Sequence, residues 1–222
     1  MNLLDQIPNS STCSLFISRG FSLINTVRSL TSVEAEKLAG VLPRFNVTSL
    51  RLQLHYCCAA AVNKLVSSIT HKTLQNLSLR GISLTPAAAA ALGRSLPEMS
   101  SLVKLELTGV DGSVLQVVEE MEALFGGINK TCPVLEWLTV QNFNARGSLT
   151  SLTKRVHLFP NLHGLVLADL NMDECDLHGL LESLRSIPNL TELDLYGNRL
   201  GSRDRIKSTM LQALPEVDLT YF

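Results

Sequence analysis

A short pattern of apolar residues recurs seven times in this chain: an apolar anchor, two variable residues, Leu or Val, one variable residue, and Leu or Val again. The anchors of the seven copies are Val47, Leu74, Leu102, Leu135, Leu162, Leu190 and Leu214. Subtracting successive anchor numbers gives steps of 27, 28, 33, 27, 28 and 24 residues. A repeat of this length is one supersecondary unit, which buries its apolar face only against neighbouring copies. The repetition therefore predicts an elongated stack of units.

Within each copy, the apolar pattern alternates as in a strand, and the segment that follows switches to helical spacing. We expect helices at 33–42, 59–69, 113–125, 174–187 and 202–214, and one capped by Thr85 with Pro86 in its first turn. The sequence thus predicts an α/β fold, a leucine-rich-repeat solenoid or horseshoe with a parallel β-sheet on the concave face and helices on the convex face. The repeats occupy 47–222. Residues 1–46 form an N-terminal cap or partial repeat, whose strand is either 15–17 or 21–23.

Composition limits the kinds of partner and the cellular compartment that we expect for this chain. Hydrophobic residues make up 45% of the chain, which is enough for a continuous core, and the net charge of −1 predicts no general attraction to nucleic acid or to membranes. The 5 cysteines are an odd, scattered set, which favours a reducing compartment and therefore a cytoplasmic location. The start of the chain lacks a signal-peptide pattern, and no apolar run approaches the roughly 18 residues of a membrane span.

Three features of the sequence resemble catalytic, nucleotide-binding or metal-binding sites only in part. The segment 126–131 resembles a phosphate-binding loop, but Asn129 stands where glycine is required and the element order is reversed. Clusters of potential metal ligands at 55–58 and 173–178 lack paired zinc spacing, and we expect Cys57 to face the backbone of its turn instead. No nucleophile motif is present. The sequence therefore predicts a non-enzymatic protein with no catalytic residue, metal site or cofactor.

The residues between the inward leucines are the most informative candidates for function. Side chains alternate along a strand, so those of stacked parallel strands form a continuous concave surface. The candidate protein-binding residues are Arg51, Gln53, Asn76, Arg80, Lys104, Glu106, Trp137, Gln141, Glu192, Asp194 and Tyr196. Basic residues come first, the single Trp lies mid-row, and acids come last, which predicts a protein ligand anchored by Trp137. The alternative is that such acids are ordinary in these repeats and that Trp137 packs under the adjacent long loop.

The segment 190–201 resembles the L-x-x-L-x-L-x-x-N-x-L-G unit of the ribonuclease-inhibitor-like repeat subclass. Over about 47–222 the chain is similar to the C-terminal repeat domain of NOD-like receptors, most closely the inflammasome branch containing NAIP and its caspase-recruitment partner, with 102–110 as the most suggestive stretch. The resemblance implies part of a cytosolic innate immune receptor, which senses a protein ligand or contacts another domain of the same receptor.

The chain departs from the repeat pattern at the turn asparagine. Only Asn198 occupies that position, and altered turn geometry is expected in the other units, where the residues are Ile82, Val110, Phe143 and Leu170. Two other functions stay open. One is an inhibitor or scaffold of the ribonuclease-inhibitor or tropomodulin type acting on a host protein, and the weaker one is a GTPase-activating regulator. The sequence predicts neither the identity of the ligand nor the oligomeric state.

Overall fold

The computed structural model describes residues 21–24, 30–44, 47–55, 57–69, 72–83, 85–110, 124, 134–143, 152, 156 and 159–221. Within these ranges, one parallel sheet contains eight strands in sequence order, each paired with its successor. The strands are β1 (Phe21–Ile24), β2 (Val47–Gln53), β3 (Asn76–Ile82), β4 (Lys104–Gly109), β5 (Trp137–Gln141), β6 (Gly164–Ala168), β7 (Glu192–Asp194) and β8 (Asp218–Tyr221). The predicted leucine-rich-repeat solenoid is confirmed.

Helices connect the parallel strands on the convex side of the sheet. They are α1 (Ser32–Val41), α2 (Ala59–Ser68), α3 (Pro86–Ser95), α4 (Glu174–Leu184) and α5 (Arg203–Ala213), and short 3-10 turns, Leu42–Arg44 and Leu96–Glu98, follow α1 and α3. The helix predicted at 113–125 lies outside the described residues except for helical Leu124. A helix with its side chains is about 10 Å wide, whereas neighbouring strands are about 4.8 Å apart, so the stack curves with the sheet on its inner side.

Local sequence determines where several helices begin. The hydroxyl of Thr85 accepts a hydrogen bond from the Ala88 amide, and Pro86 lies in the first turn of α3, as predicted. Asp173 caps α4 by accepting from the amides of Cys175 and Asp176, and the Asp176 carboxylate accepts from the Asp173 amide in return. This reciprocal capping box gives the acids at 173–176 a structural role.

The core is a set of leucine ladders between the sheet and the helices. Pairing brings equivalent residues of successive strands side by side in the register Leu50, Leu77, Leu105, Leu138, Leu165 and Leu193. These six side chains are all buried. Burying one leucine contributes about 1.5–3 kcal/mol relative to leaving it exposed, so the ladders supply the main favourable term for stacking.

The two ends of the sheet refine the sequence assignment. Of the two alternatives near the N-terminus, Phe21–Ile24 forms a strand that pairs with β2, and 15–17 lies outside the described residues. At the other end, the repeat pattern aligned Val217 with Leu193, whereas the structure pairs Leu219 with Leu193. The step between these paired leucines is 26 residues, which is nearer to the other repeats than the 24 that the pattern implied. The last anchor, Leu214, therefore does not occupy the position that Leu190 has in its own unit.

Candidate functional site

The sheet face opposite the helices, here called the open face, carries the outward side chains in three rows that cross the strands. The first row is Ser49, Asn76, Lys104, Trp137, Gly164, Glu192 and Asp218. The second is Arg51, Ser78, Glu106, Thr139, Val166 and Asp194. The third is Gln53, Arg80, Thr108, Gln141 and Ala168. Ten of the eleven candidate residues lie in these rows, and Tyr196 lies two residues beyond β7.

Strands β2 to β4 form the basic end of the open face. Arg80 Nε donates to Glu106 Oε1 over 2.6 Å, and the two side chains are 43% and 11% exposed, respectively. Burying a carboxylate costs solvation free energy, and a charge-assisted hydrogen bond of this kind offsets that cost. Arg51 is exposed and Lys104 is half-buried. One acid thus faces three cations, and the basic end carries a net positive charge.

Ser78 lies in the middle of the basic end. Strand pairing places it between Arg51 of β2 and Glu106 of β4. Its side chain is 7% exposed, and its hydroxyl oxygen, which is buried, has no hydrogen-bond partner. A buried hydroxyl without a partner costs about 1–3 kcal/mol relative to a satisfied one. It is the only buried side-chain oxygen or nitrogen without a partner in the part of the chain that the structure describes.

The middle of the open face is built around Trp137. A β-carbon placed on Gly164 would lie 2.1 Å from Trp137 Cε3, so the indole covers the glycine of the next strand. Lys104 Nζ lies 5.7 Å from the centroid of the indole ring, a cation–π contact from the preceding strand. The other β6 residues of the rows, Val166 and Ala168, are small and uncharged. The indole is therefore held in place by its neighbours while part of it remains exposed.

Strands β7 and β8 form the acidic end. Glu192 and Asp218 are exposed, and Asp194 accepts a hydrogen bond from the Tyr196 amide over 2.9 Å. Tyr196 is 55% exposed, which makes it one of the few large apolar side chains that the described part of the chain leaves open to solvent. Gln141 of β5 donates to Asp169 beyond β6 over 3.4 Å. Every charged residue that β7 and β8 contribute to the three rows is acidic.

The repeat pattern places Ser78 and Gly164 on the concave face without indicating a role for them, and it does not indicate Asp169. Gly164 could have been recognised as a glycine that comes one repeat after a residue with a large ring, Trp137. Gly81 follows His55 in the same way, and a β-carbon on Gly81 would lie 2.4 Å from the His55 imidazole. In both cases a bulky ring lies over the glycine of the next unit. The unsatisfied hydroxyl of Ser78 has no sequence signal, because its burial depends on residues of two other repeats.

The described residues contain no group of three or more His, Cys, Asp or Glu side chains that could hold a metal ion. Cys57 Sγ donates to the Leu30 carbonyl over 3.0 Å, so it faces the backbone as expected. The pKa of Cys57 is raised to about 11, chiefly by burial and then by the neighbouring Cys58 and Glu34. The pKa of exposed Cys58 is lowered, chiefly by the Ser32 hydroxyl and then by the Ala61 amide. The segment 126–131, which resembles a phosphate loop, lies outside the described residues.

Among the helices that the structure describes, none is long and apolar enough to cross a bilayer. Neither a protein-family model nor a curated protein matches the chain.

Several solved structures match the chain at low sequence identity and low TM-score. TLR13 in its complex with ssRNA13 is 17% identical, with a TM-score of 0.37, and the match covers 78% of this chain but only 28% of the TLR13 chain. A protein from Bacteroides fragilis is 16% identical, with a TM-score of 0.33 and coverage of 87% and 72% of the two chains. A leucine-rich-repeat protein from Leptospira interrogans is 15% identical, with a TM-score of 0.33 and coverage of 100% and 68%. The fold assignment rests on the strand order and register given above.

Proposed function

We propose that this chain is a non-enzymatic protein-recognition module of a cytosolic innate immune receptor of the NOD-like type. Its open face binds a protein ligand or another domain of the same receptor. The observation that carries the proposal is the separation of charge along that face. Cations lie on β2 to β4 and acids lie on β7 and β8, with partly exposed Trp137 between them.

This arrangement of charge contributes little to the stability of the sheet, but it suits the binding of a partner with complementary charge. Opposite charges on adjacent strands stabilise a sheet, and like charges side by side destabilise it. Only the Arg80–Glu106 pair follows that rule in the described rows, whereas Glu192 and Asp218 are neighbours of like charge. Complementary charge on a partner steers association and suppresses wrong partners, and a buried aromatic anchor supplies affinity. The receptor context is supported by the sequence resemblance over about 47–222, with 102–110 as its most suggestive stretch, and by the scattered cysteines.

The test is calorimetric binding of the purified chain to a panel of purified microbial and host proteins, with actin and ribonuclease included. The face variant combines Arg51→Ala, Arg80→Ala and Trp137→Ala. The control variant combines Lys64→Ala and Arg205→Ala, which removes two helix-side cations that pair with Glu36 and Glu174. We expect a panel member to bind with an affinity that falls at least about tenfold in the face variant and is unchanged in the control.

The outcomes separate the parts of the proposal. Binding that is equal in the native chain and the face variant contradicts the open face as the site. Selective binding of actin or ribonuclease would favour an inhibitor or scaffold over a receptor module. Sequencing the transcript upstream of Met1 tests the receptor context, since a NOD-like receptor encodes a nucleotide-binding module in the same reading frame.

A further inference from the structure

We infer that the occupant of the open face is a bipolar peptide segment, with carboxylates at one end, an apolar side chain in the middle, and lysine or arginine at the other end. Its carboxylates lie over β2 to β4, its apolar residue lies beside Trp137, and its cations lie over β7 and β8. The inference rests on the proposed function and specifies the chemistry of the partner.

The first step concerns Arg80. A guanidinium offers two edges to a carboxylate, one that includes Nε and one formed by the two terminal nitrogens. Glu106 occupies Nε at 2.6 Å and is itself nearly buried, so it holds the guanidinium in one orientation. The terminal nitrogens remain for a second carboxylate on a side chain that is 43% exposed. Arg80 is thereby arranged in advance as a carboxylate receptor, which lowers the entropy cost of binding.

The second step concerns Ser78. Its hydroxyl is more than nine-tenths buried, has no hydrogen-bond partner, and lies between Arg51 and Glu106. The hydroxyl oxygen is covered in the unbound chain, so a carboxylate bound across exposed Arg51 and half-exposed Arg80 supplies it with an acceptor only after the covering side chains move aside. The unsatisfied hydroxyl is therefore a second and independent indication that the basic end accepts an anionic group.

The third step concerns the middle of the face. Trp137 lies over Gly164, and Val166 and Ala168 add small apolar surface on the same strand. A charged group placed here would lose solvation without gaining a partner on β6, whereas an aliphatic side chain against the indole buries apolar area. The partner is therefore apolar between its two charged ends.

The fourth step gives the spacing. Strands β3 and β7, which carry Arg80 and Glu192, are four strand intervals apart across the sheet, or about 19 Å at roughly 4.8 Å per interval. An extended peptide covers that distance in about six residues. A second copy of this chain fits poorly, because two concave faces do not pack against each other. A nucleic acid is disfavoured because Glu192, Asp194 and Asp218 repel its phosphates.

The probe is a synthetic peptide with glutamates at one end, lysines at the other, and a leucine-containing spacer of about six residues. The matched control is a peptide of the same composition with its charges intermixed. Binding is followed at low ionic strength by fluorescence polarisation of a labelled peptide. We expect the ordered peptide to bind about tenfold more tightly than the intermixed one, and to lose that advantage at high salt.

Charge reversal at exposed or half-exposed positions tests the orientation. One variant carries Arg51→Glu and Lys104→Glu, another carries Glu192→Lys and Asp218→Lys, and a third combines all four changes. Circular dichroism and urea unfolding verify that each variant folds. Each pair alone is expected to weaken binding about tenfold. The combined variant is expected to bind the peptide again, in the opposite orientation. A photo-crosslinker on the acidic end of the peptide should then attach to β7–β8 instead of β2–β4.

The inference is overturned by no binding of the ordered peptide, by equal binding of the intermixed peptide, or by tighter binding of a single-stranded RNA of similar length. Self-association of the chain that is abolished by the same charge reversals also overturns it, since the occupant would then be a second copy. If a panel protein loses binding in the face variant but is insensitive to charge reversal, the proposed function stands and the bipolar inference fails.

Discussion

The turns at the ends of β3, β5, β6 and β7 reverse the chain in the same way, but one is held by a polar side chain and the other three by apolar ones. The third residue after the second inward leucine or valine is Asn198 in the β7 unit, counted from Leu195, and it is Ile82, Phe143 and Leu170 in the β3, β5 and β6 units. Asn198 Oδ1 accepts from the amides of Leu170 and Met172 over 3.0 and 3.1 Å. Its Nδ2 donates to the carbonyls of Leu167 and Leu195 over 2.7 and 2.8 Å. One amide thus joins its own turn to the preceding coil.

The other three turns use burial. Ile82, Phe143 and Leu170 are at most 1% exposed, so they extend the apolar core beneath the turn. The residues immediately before these positions, Gly81, Asn142 and Asp169, have φ of 66°, 59° and 53°, and Gly197 before Asn198 has 72°. At these three turns, the change in geometry that the missing asparagines led us to expect is therefore absent at this point of the backbone. The left-handed residue makes the turn, and the residue after it can be either polar or apolar. The fourth turn without asparagine differs, because Val110 is only half-buried and follows Gly109, which is not among the described residues with positive φ.

The largest expected effect is at an apolar turn. Phe143→Ala removes one of the largest fully buried side chains and leaves a cavity under the turn. We expect the free energy of unfolding to fall by about 3–5 kcal/mol, measured by urea denaturation. Phe143→Leu, which keeps most of the volume, serves as the control and is expected to retain most of the stability. A loss below about 1 kcal/mol for Phe143→Ala would contradict the view that burial closes this turn.

The polar turn is tested next. Asn198→Ala removes the partners of two amides and three carbonyls, and we expect a loss of about 2–3 kcal/mol in the same measurement. Asn189→Ala is the matched control, because the exposed Asn189 side chain donates to the Pro160 carbonyl alone. The control is expected to lose no more than about 1 kcal/mol. Equal losses in the two variants would show that the amide network of Asn198 has no special role.

A smaller effect is expected at the left-handed position that all four turns share. Gly81→Ala places a β-carbon at φ 66° and 2.4 Å from the His55 ring, so it is strained in both backbone and packing. We expect a loss of about 1–2 kcal/mol. Adding His55→Ala relieves the packing strain and leaves the backbone strain, which separates the two causes. Asn142→Gly, at the same position after β5, should change stability by no more than about 0.5 kcal/mol, because glycine adopts this φ freely.

The smallest effect concerns the turn after β2, where the Cys57 thiol contacts the backbone of the preceding coil. Its pKa is raised from 9.0 to about 11, chiefly by burial. Between these two pH values the thiol is therefore neutral in the folded state but ionised in the unfolded state. Native stability is therefore lost as pH rises through the window from 9.0 to about 11. The urea midpoint of the native chain should fall more than that of Cys57→Ala across this window. Parallel pH profiles would contradict the buried thiol contact.

Much of this architecture could be read from spacing alone. Alternating leucines located the strands, and Thr85 with Pro86 marked the start of α3, because each depends on residues close together in the chain. Prediction failed at the last strand, where the pairing is offset by two residues from the apolar pattern. A pattern of Leu and Val identifies an inward face, but hydrogen bonds to the neighbouring strand decide the register, as the Asp218 amide does by donating to the Thr191 carbonyl.

The candidate site was also predicted from the sequence only in part. The order of charge along the open face followed from the sequence, because repeat spacing brings Arg51, Arg80 and Lys104 onto neighbouring strands. The sequence did not reveal that Glu106 neutralises Arg80, nor that the Trp137 ring covers Gly164. Both depend on side-chain directions between units that are 26 or 27 residues apart.

The sequence by itself determined the repeat, the sheet and the row of residues on its open face. Leucines that recur with the repeat period are buried together when successive units stack with their strands parallel. Tertiary structure alone decided which of those residues are already paired, which hydroxyl is left unsatisfied at Ser78, and how the Asn198 amide joins two coils. These are contacts of a few ångströms between separate repeats, and their energies depend on distance and direction that a linear pattern does not contain.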